Sequence, residues 1–204
     1  EKTQELDKLT QNYHRSKSRL ESLVNITERY DGYGNSIRKI MELKDSNPGI
    51  LGVIADIIKV EKQYETAIET ALGGTIQNIV TDKENTAKEL INYLKVNKLG
   101  RATFLPLNAI HSRNTLENDN CINEKGVVGV ASNLVRVSFE YEGLAKYLLG
   151  RILVVDNIEN ALVIARKYKY SLRIVTLECE QLNPGGSMTG GAFKNSSNLL
   201  GRRR

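Results

Sequence analysis

The sequence predicts an α+β protein in which two similar mixed α/β subdomains are flanked by the helices of an antiparallel coiled coil. Three observations lead to this prediction: a heptad pattern near the N-terminus, an internal repeat in the centre, and a helix-start signal near the C-terminus. The expected division is an N-terminal arm over 1–30, a first subdomain over 31–110, a polar linker over 111–126, a second subdomain over 127–193, and the start of a returning arm over 194–204.

The N-terminal region carries a heptad repeat. Its a positions are Leu6, Tyr13, Leu20 and Thr27, its d positions are Leu9, Ser16, Leu23 and Tyr30, and six of these eight residues are apolar or aromatic. A 3–4 alternation of this length favours the narrow seam of a coiled coil. An amphipathic helix packed on its own domain has a similar pattern and is the alternative. The turn residues 31–34, "DGYG", end the helix.

The central region contains a repeat. Residues 52–73, "GVIADIIKVEKQYETAIETALG", align without a gap with residues 129–150, "GVASNLVRVSFEYEGLAKYLLG", which lie 77 positions later. After a short deletion the match resumes, because "NIVTDKENTA" (78–87) resembles "ILVVDNIENA" (152–161) and "RATFL" (101–105) resembles "RIVTL" (173–177). A chain with duplicated halves can pair each half with the opposite half of a second copy, which closes a symmetric dimer.

Each half shows the same order of predicted elements. A helical stretch ends at a glycine, over 67–73 and 144–150, and a β-branched run follows in "TIQNIV" and "RILVV". A second helix comes next, at about 86–95 and 160–167, after an Asp-containing turn that can cap it. The strands "ATFLPL" and "LRIVTL" complete the two units, and the polar stretch "SRNTLENDNCINEKG" separates them.

The C-terminal residues predict the second helix of the arm. Ser196 and Ser197 are candidate N-caps ahead of Leu199 and Leu200. A helix that enters at one end and another that leaves at the other end favour an antiparallel pair with the globular part at its tip.

Composition excludes several classes of protein. The formal net charge of +5 favours an anionic partner such as nucleic acid. Cys121, Cys179, His14 and His111 are isolated from one another, so neither a zinc site nor a disulfide framework is indicated, and the thiols suit a reducing cytosol. No apolar run is long enough to cross a membrane, and the charged start is unlike a signal peptide. We expect the chain to be an internal part of a longer protein.

The stretch "NPGGSMTGG" (183–191) is unusual because four of its nine residues are glycine. It fails the P-loop pattern, since Gly191 and Ala192 stand where Lys and Ser/Thr are required after Gly190. It also fails the spacing of dinucleotide-binding loops. Three interpretations remain: a surface turn, an anion nest that binds nucleotide or phosphate, or a place where a second protein backbone approaches. No set of residues resembling a hydrolase triad is apparent.

The motifs "DGYGNSIRKIM", "ETALGGTIQNIVTD", "GRATFLPL" and "LNPGGSMTGGAF", in this order between two coiled-coil ends, closely resemble the hinge of bacterial SMC (structural maintenance of chromosomes) proteins. The resemblance covers essentially the whole chain. It implies a non-catalytic homodimerisation domain without a cofactor. It also implies a parent protein that binds ATP and magnesium at distant head domains and acts on the chromosome in the cytoplasm, at the nucleoid.

The resemblance also implies which residues form the dimer. These are Gly73, Gly74, Gly185, Gly186, Gly190 and Gly191. The physical argument agrees, because a strand added across a subunit boundary bonds through its main chain, and side chains at the crossing would hold the two backbones apart. Glycines that serve only an internal turn are the alternative.

Sequence-independent DNA binding near the coil junction is the second implication. The candidate residues are Arg29, Arg38, Lys39, Lys44, Lys194, Arg202, Arg203 and Arg204. Such residues would contact phosphate, so affinity should fall steeply with salt. The alternatives are that these cations merely solvate helix faces, or that the chain is a nucleic-acid-binding domain in which dimerisation is incidental.

Overall fold

The computed structural model describes residues 2–29, 33–112, 114–192 and 199–201, which form one long helix and a mixed α/β body. The helices are α1 (Lys2–Arg29), α2 (Asn35–Met41), α3 (Ile54–Ile57), α4 (Glu65–Leu72), α5 (Glu84–Val96), α6 (Glu142–Leu149) and α7 (Ile158–Lys167). The strands are β1 (Ile50–Val53), β2 (Lys59–Val60), β3 (Ile79–Thr81), β4 (Phe104–Pro106), β5 (Val127–Val130), β6 (Val135–Arg136), β7 (Ile152–Val155), β8 (Arg173–Thr176), β9 (Gln181–Leu182) and β10 (Met188–Thr189).

The described part of the heptad region is a continuous helix, α1, and its apolar seam residues from Leu6 to Leu20 are open to solvent. Leu6, Leu9, Tyr13 and Leu20 are each at least 62% exposed. A helix packed on its own domain would bury these side chains, so that alternative is wrong for this stretch. The exposed seam is the surface that a coiled coil needs for a second helix.

The two sheets begin with the same strand pairing. In the three-stranded sheet β1 is antiparallel to β3 and β3 is parallel to β4, with α5 as the connection. In the five-stranded sheet β5 is antiparallel to β7 and β7 is parallel to β8, with α7 as the connection. Both antiparallel pairs shift register at a glycine, before Gly52 and before Gly129, which lie 77 positions apart. The second sheet alone continues into the hairpin of β9 and β10.

A short antiparallel pair joins the two halves. Lys59 of β2 lies opposite Arg136 of β6, and Val60 lies opposite Val135. Because these strands occupy nearly the same place in the two repeats, the pairing relates the halves by an approximate twofold.

The strand β7 separates two hydrophobic cores. Ile152 and Val154 belong to the large core that both halves share, whereas Leu153 and Val155 belong to a smaller core under α7. This alternation follows from the two-residue period of a strand. Leu116 and Cys121, from the segment predicted to be a polar linker, are each 1% exposed in the smaller core.

The Asp-containing turn before α7 caps that helix, whereas the turn before α5 supplies no side-chain cap. The N-cap of α7 is Asn157, whose side chain accepts a hydrogen bond from the Asn160 N–H at 2.9 Å. Asp156 lies one residue earlier and accepts from the Asn160 side chain at 2.9 Å. In the first half Asp82 similarly accepts from the Thr86 hydroxyl at 2.6 Å. The acids therefore brace the first helical turn through side chains, from positions one residue after β3 and β7.

The strand predicted over "TIQNIV" is shorter than expected. Gly73 ends α4 with φ of +54°, and the chain then makes a 3₁₀ turn over Gly73–Gln77 before β3 begins at Ile79. The Asn78 N–H still bonds to the Thr75 carbonyl, so the β-branched residues here are part of a turn.

Candidate functional site

The glycine-rich stretch forms a hairpin at the edge of the five-stranded sheet. The Asn183 N–H donates to the Ser187 carbonyl at 2.8 Å and the Gly186 N–H donates to the Asn183 carbonyl at 3.0 Å, which closes the turn between β9 and β10. Residues 184–192 are all exposed, and β10 pairs on one side only within the described residues. Its outer backbone groups can therefore accept another strand.

This geometry does not suit a P-loop. A P-loop connects a strand to a helix whose N-terminus faces the phosphates. Here the glycines at 185–186 lie in a turn between antiparallel strands, and no helix occurs within 184–192. The described residues 184–192 therefore do not form a P-loop.

Two of the predicted interface glycines, Gly74 and Gly190, lack the positive φ that would itself favour glycine. Among the described residues, a Cβ atom built on Gly74 would meet no atom within 4 Å. One built on Gly190 would lie 3.1 Å from the Cγ of Glu180, whose carboxylate accepts a hydrogen bond from the Thr176 hydroxyl. The open space at Gly74 would allow another backbone to come close.

The other four predicted glycines have positive φ. These are Gly73, Gly185, Gly186 and Gly191. Positive φ favours glycine whatever lies nearby, so the turn alternative applies to these residues. Even so, a Cβ atom on Gly73, Gly185 or Gly191 would meet nothing within 4 Å, which leaves their outer surfaces open.

A groove brings glycines from both halves together. It has a volume of about 410 Å³ and runs between α4 and the β9–β10 hairpin. Gly73 from the first half and Gly190 and Gly191 from the second half line it. We call this feature the glycine groove. Gly185 and Gly186 lie instead at the far end of the hairpin, where the Gly185 N–H donates to the Tyr170 carbonyl at 2.8 Å.

Two side chains from the second half position the end of α4. The Arg173 guanidinium donates to the Ala71 carbonyl at 2.8 Å, and the Gln181 amide donates to the Thr70 carbonyl at 3.1 Å. The last carbonyls of a helix lack partners within the helix, and a cation there also interacts favourably with the helix dipole. Arg173 and Gln181 thereby hold the two sides of the glycine groove in register.

We expect Arg173→Ala to lower the free energy of unfolding by about 1–2 kcal/mol, because a hydrogen bond from a charged donor is lost at a partly exposed site. Chemical denaturation measures this change. Arg151→Ala is the matched control, since Arg151 donates to the Asn114 carbonyl at 3.1 Å on the exposed surface. The control should change stability by less than about 0.5 kcal/mol. Equal losses in both variants would contradict a special role for Arg173.

Glu69 lies on the α4 side of the glycine groove. Its carboxylate accepts a hydrogen bond from the Leu200 N–H at 2.8 Å, so it contacts the returning chain. Burial raises the pKa of Glu69, although the backbone N–H groups of Leu200 and Leu199 act in the opposite direction. Desolvation of the charged form is thus the larger effect.

The raised pKa of Glu69 predicts a pH dependence. The folded protein binds this proton more tightly than the unfolded chain, so the free energy of unfolding falls as pH rises from 4.5 through the raised pKa. Glu69→Gln removes this loss. The variant should be more stable than wild type at neutral pH, and the difference should shrink in acid. Denaturation curves measured at several pH values test this, and a pH-independent difference would contradict it.

Only some of the basic residues predicted to bind DNA lie within the described part of the chain. Arg38, Lys39 and Lys44 lie on α2 or just after it, and all three are partly exposed. The Ser22 hydroxyl of α1 donates to Asp45 at 3.3 Å, which places this segment beside the arm. Lys39 also pairs with Glu42 at 3.6 Å. The side chain of Arg29, and Lys194 and Arg202–Arg204 entirely, lie outside the described residues.

Sequence reasoning missed Arg173, Gln181 and Glu69. Arg173 and Gln181 bond to carbonyls more than a hundred positions away, as the separations of 102 and 111 residues show. Glu69 bonds to a residue 131 positions away. No local spacing signals such contacts, because they depend on how the halves pack.

Other kinds of site find no support in the described part of the chain. No three His, Cys, Asp or Glu side chains there come together to hold a metal ion. Cys121 and Cys179 are free thiols, and burial raises the pKa of each. Among the described helices, none combines the length and apolar character needed to span a membrane.

Comparison with known proteins identifies relatives of this chain. Residues 47–165 match the profile of a family described as "SMC proteins Flexible Hinge Domain". The chain is 41% identical over 205 residues to "Chromosome partition protein Smc" of Desulfitobacterium hafniense (strain Y51), covering 98% of this chain and 17% of that protein. It is 40% identical over 192 residues to the protein of the same name from Bacillus subtilis (strain 168), covering 93% and 16%. The chain thus spans less than a fifth of these relatives.

Solved structures share the fold. An asymmetric dimer of the Geobacillus stearothermophilus SMC hinge domain matches with a TM-score of 0.79 and 37% identity, covering 97% of this chain and 80% of that one. The Pyrococcus furiosus SMC hinge domain matches with a TM-score of 0.66 and 34% identity, covering 87% and 91%. These matches confirm the predicted resemblance and the α+β fold class. The matched domain is a hinge and not a catalytic domain, which agrees with the prediction that this stretch is not an enzyme.

Proposed function

Because this chain belongs to the family of flexible hinge domains of SMC proteins, we propose that it joins two copies of its parent protein as a homodimer. The contact uses the glycine groove and the exposed edge of β10. In this arrangement the first half of one protomer meets the second half of the other. The approximate twofold within each chain makes such a pairing self-complementary.

One observation carries the proposal: glycine stands at Gly74 although its φ is not positive and a Cβ atom there would meet no described atom within 4 Å. A partner backbone that approaches within hydrogen-bonding distance gives the missing reason. Adding a strand to β10 would also satisfy its outer N–H and C=O groups, which otherwise leave an aggregation-prone edge.

Solution mass across a dilution series tests the proposal. The protomer mass is 22.8 kDa, so sedimentation equilibrium should report twice that value at micromolar concentration, with dissociation only on strong dilution. Samples at different salt concentrations should give similar dimer stability, because the proposed contacts are main-chain hydrogen bonds and not ion pairs. A protomer mass at every concentration would overturn the proposal.

We propose the rest of the molecular assembly from the resemblance to SMC proteins. In the parent protein, α1 would continue into a long arm that pairs with the returning arm along its exposed seam. Two parent chains joined at their hinges would form a V or ring that holds DNA during chromosome partition, in the cytoplasm at the nucleoid. ATP and magnesium would bind at head domains at the far ends of the arms.

We also propose that the base of the arm binds DNA without reading its sequence. The support is the clustering of Arg38, Lys39 and Lys44 next to α1, together with the net charge of +5. Phosphate is the recognised group, since cations without a preformed base-reading element bind the backbone.

Salt dependence tests the DNA proposal. For a short duplex, each phosphate contact that is lost should lower the slope of log affinity against log salt by about 0.9, so Lys39→Ala with Lys44→Ala should lower it by nearly 2. The matched control is Lys88→Ala with Lys95→Ala, which removes the same charge from exposed positions of α5. Equal effects of the two double variants would show that only net charge matters and would contradict a site at the arm.

A further inference from the structure

The glycine groove is also where the returning chain docks. Leu199 lines this groove, and Leu199 and Leu200 are only 5% and 7% exposed in the large core. The Leu200 N–H donates to the Glu69 carboxylate at 2.8 Å, and the Leu199 N–H bonds to the same carboxylate. The last described residues of the chain are therefore attached to α4 by burial and by one acidic side chain.

Glu69 also contacts the proposed dimer surface through its backbone. Its carbonyl accepts the N–H of Gly73, the glycine that ends α4 and lines the groove. Glu69 thus binds the interface glycine with its main chain and the returning chain with its side chain. A shift of the end of α4 would move both contacts together, since a helical turn is rigid compared with a loop.

The internal repeat indicates that the α/β unit itself does not need this acid. The position equivalent to Glu69 lies 77 residues later and is Lys146, which is exposed on α6. The helix forms there without a carboxylate. The acid is specific to the half on which the returning chain docks.

We propose that Glu69 is a positioning residue that couples dimerisation to docking of the returning arm on the hinge. The inference rests on the proposed homodimer. Docking of Leu199 and Leu200 on Glu69 holds the end of α4 in the position that a partner recognises, and partner binding in turn stabilises the docked arm. Such coupling is reciprocal by thermodynamic linkage.

The experiment measures both sides of this coupling in the full chain. Hydrogen exchange reports the docking of Leu199 and Leu200, and sedimentation reports the dimer dissociation constant. In Glu69→Ala we expect exchange at these two amides, and the dissociation constant, each to rise by about tenfold, the loss typical of a charge-assisted hydrogen bond. Glu69→Gln should restore part of both values, because its amide oxygen still accepts from the Leu200 N–H but carries no charge. Glu142→Ala, an exposed acid in the first turn of α6, is the control and should change neither.

A second measurement needs no substitution. If coupling is reciprocal, Leu199 and Leu200 should exchange about tenfold faster in wild-type monomer, obtained by dilution, than in the dimer. Equal exchange in monomer and dimer would overturn the inference, as would faster exchange in Glu69→Ala with an unchanged dissociation constant. A wild-type chain that never dimerises would instead overturn the proposed function itself, so the two failures are distinguishable.

Discussion

Replacing Gly190 and Gly191 together by valine is expected to give a folded monomer. Two branched side chains at the end of β10 would hold a partner backbone beyond hydrogen-bonding distance. We therefore expect the dissociation constant of the dimer to rise by at least about a hundredfold, which corresponds to the loss of two strong contacts. The fold should survive with reduced stability, because the Gly190 substitution crowds the Glu180 Cγ at 3.1 Å and valine at Gly191 is strained by its φ of +125°. Sedimentation measures the mass, and circular dichroism checks the fold.

The matched control for this variant is Gly143→Val. A Cβ atom on Gly143 also meets nothing within 4 Å, but this glycine lies on α6 and does not line the glycine groove. The control should remain dimeric. Gly74→Val adds a test without backbone strain, since Gly74 lacks a positive φ, and it should also weaken the dimer. An intact dimer in the Gly190 and Gly191 double variant would refute the proposed interface.

Replacing Gly126 by alanine is expected to destabilise the fold by about 3 kcal/mol, without a direct effect on the dimer surface. Gly126 has a φ of +87°, and a Cβ atom there would lie 2.5 Å from both the Asp156 carboxylate and the Asn160 side-chain amide. The cost combines about 1 kcal/mol of backbone strain with about 2 kcal/mol of overpacking. Denaturant titration gives the free energy of unfolding.

The control for Gly126 is Gly100→Ala. Gly100 has a similar φ of +93°, but its Cβ atom would meet only the Ser36 side chain at 3.7 Å, an ordinary contact. The control should therefore lose only the strain, about 1 kcal/mol. If both variants lose the same stability, the close approach to Asp156 has no energetic importance.

The close approach at Gly126 has an equivalent in the first half of the internal repeat. In the first half Gly49 stands at the equivalent position, and a Cβ atom there would lie 2.7 Å from the Thr86 hydroxyl and 2.9 Å from Asp82. The carbonyls of both glycines accept the N–H of the aspartate that follows the paired strand, Asp82 after β3 and Asp156 after β7. The sequence alone does not predict a structural role for Gly49 or Gly126, because each is an isolated glycine and the aspartate that it contacts is distant along the chain.

Local sequence patterns were sufficient to predict the helices and strands that depend on residues close together in the chain. The heptad predicted α1, because side chains three and four positions apart share a helix face. The repeat predicted the cores of α4, α6, α5 and α7 and of the strands β7 and β8, because the same alternation occurs twice. Prediction was less accurate where a turn competes with β-branched residues, as in the 3₁₀ turn before β3.

The sequence alone thus determined the class of fold, the helix α1 and the cluster of glycines at 185–191, since each depends on residues close together in the chain. The solvent exposure of the α1 seam was decided by the structure. Only the tertiary structure decided that Gly73 meets Gly190 and Gly191 in one groove, that Arg173 holds the end of α4, and that Glu69 holds the returning chain. The physical reason is that these contacts join residues more than a hundred positions apart, and their geometry is set by the packing of the two halves around their shared core.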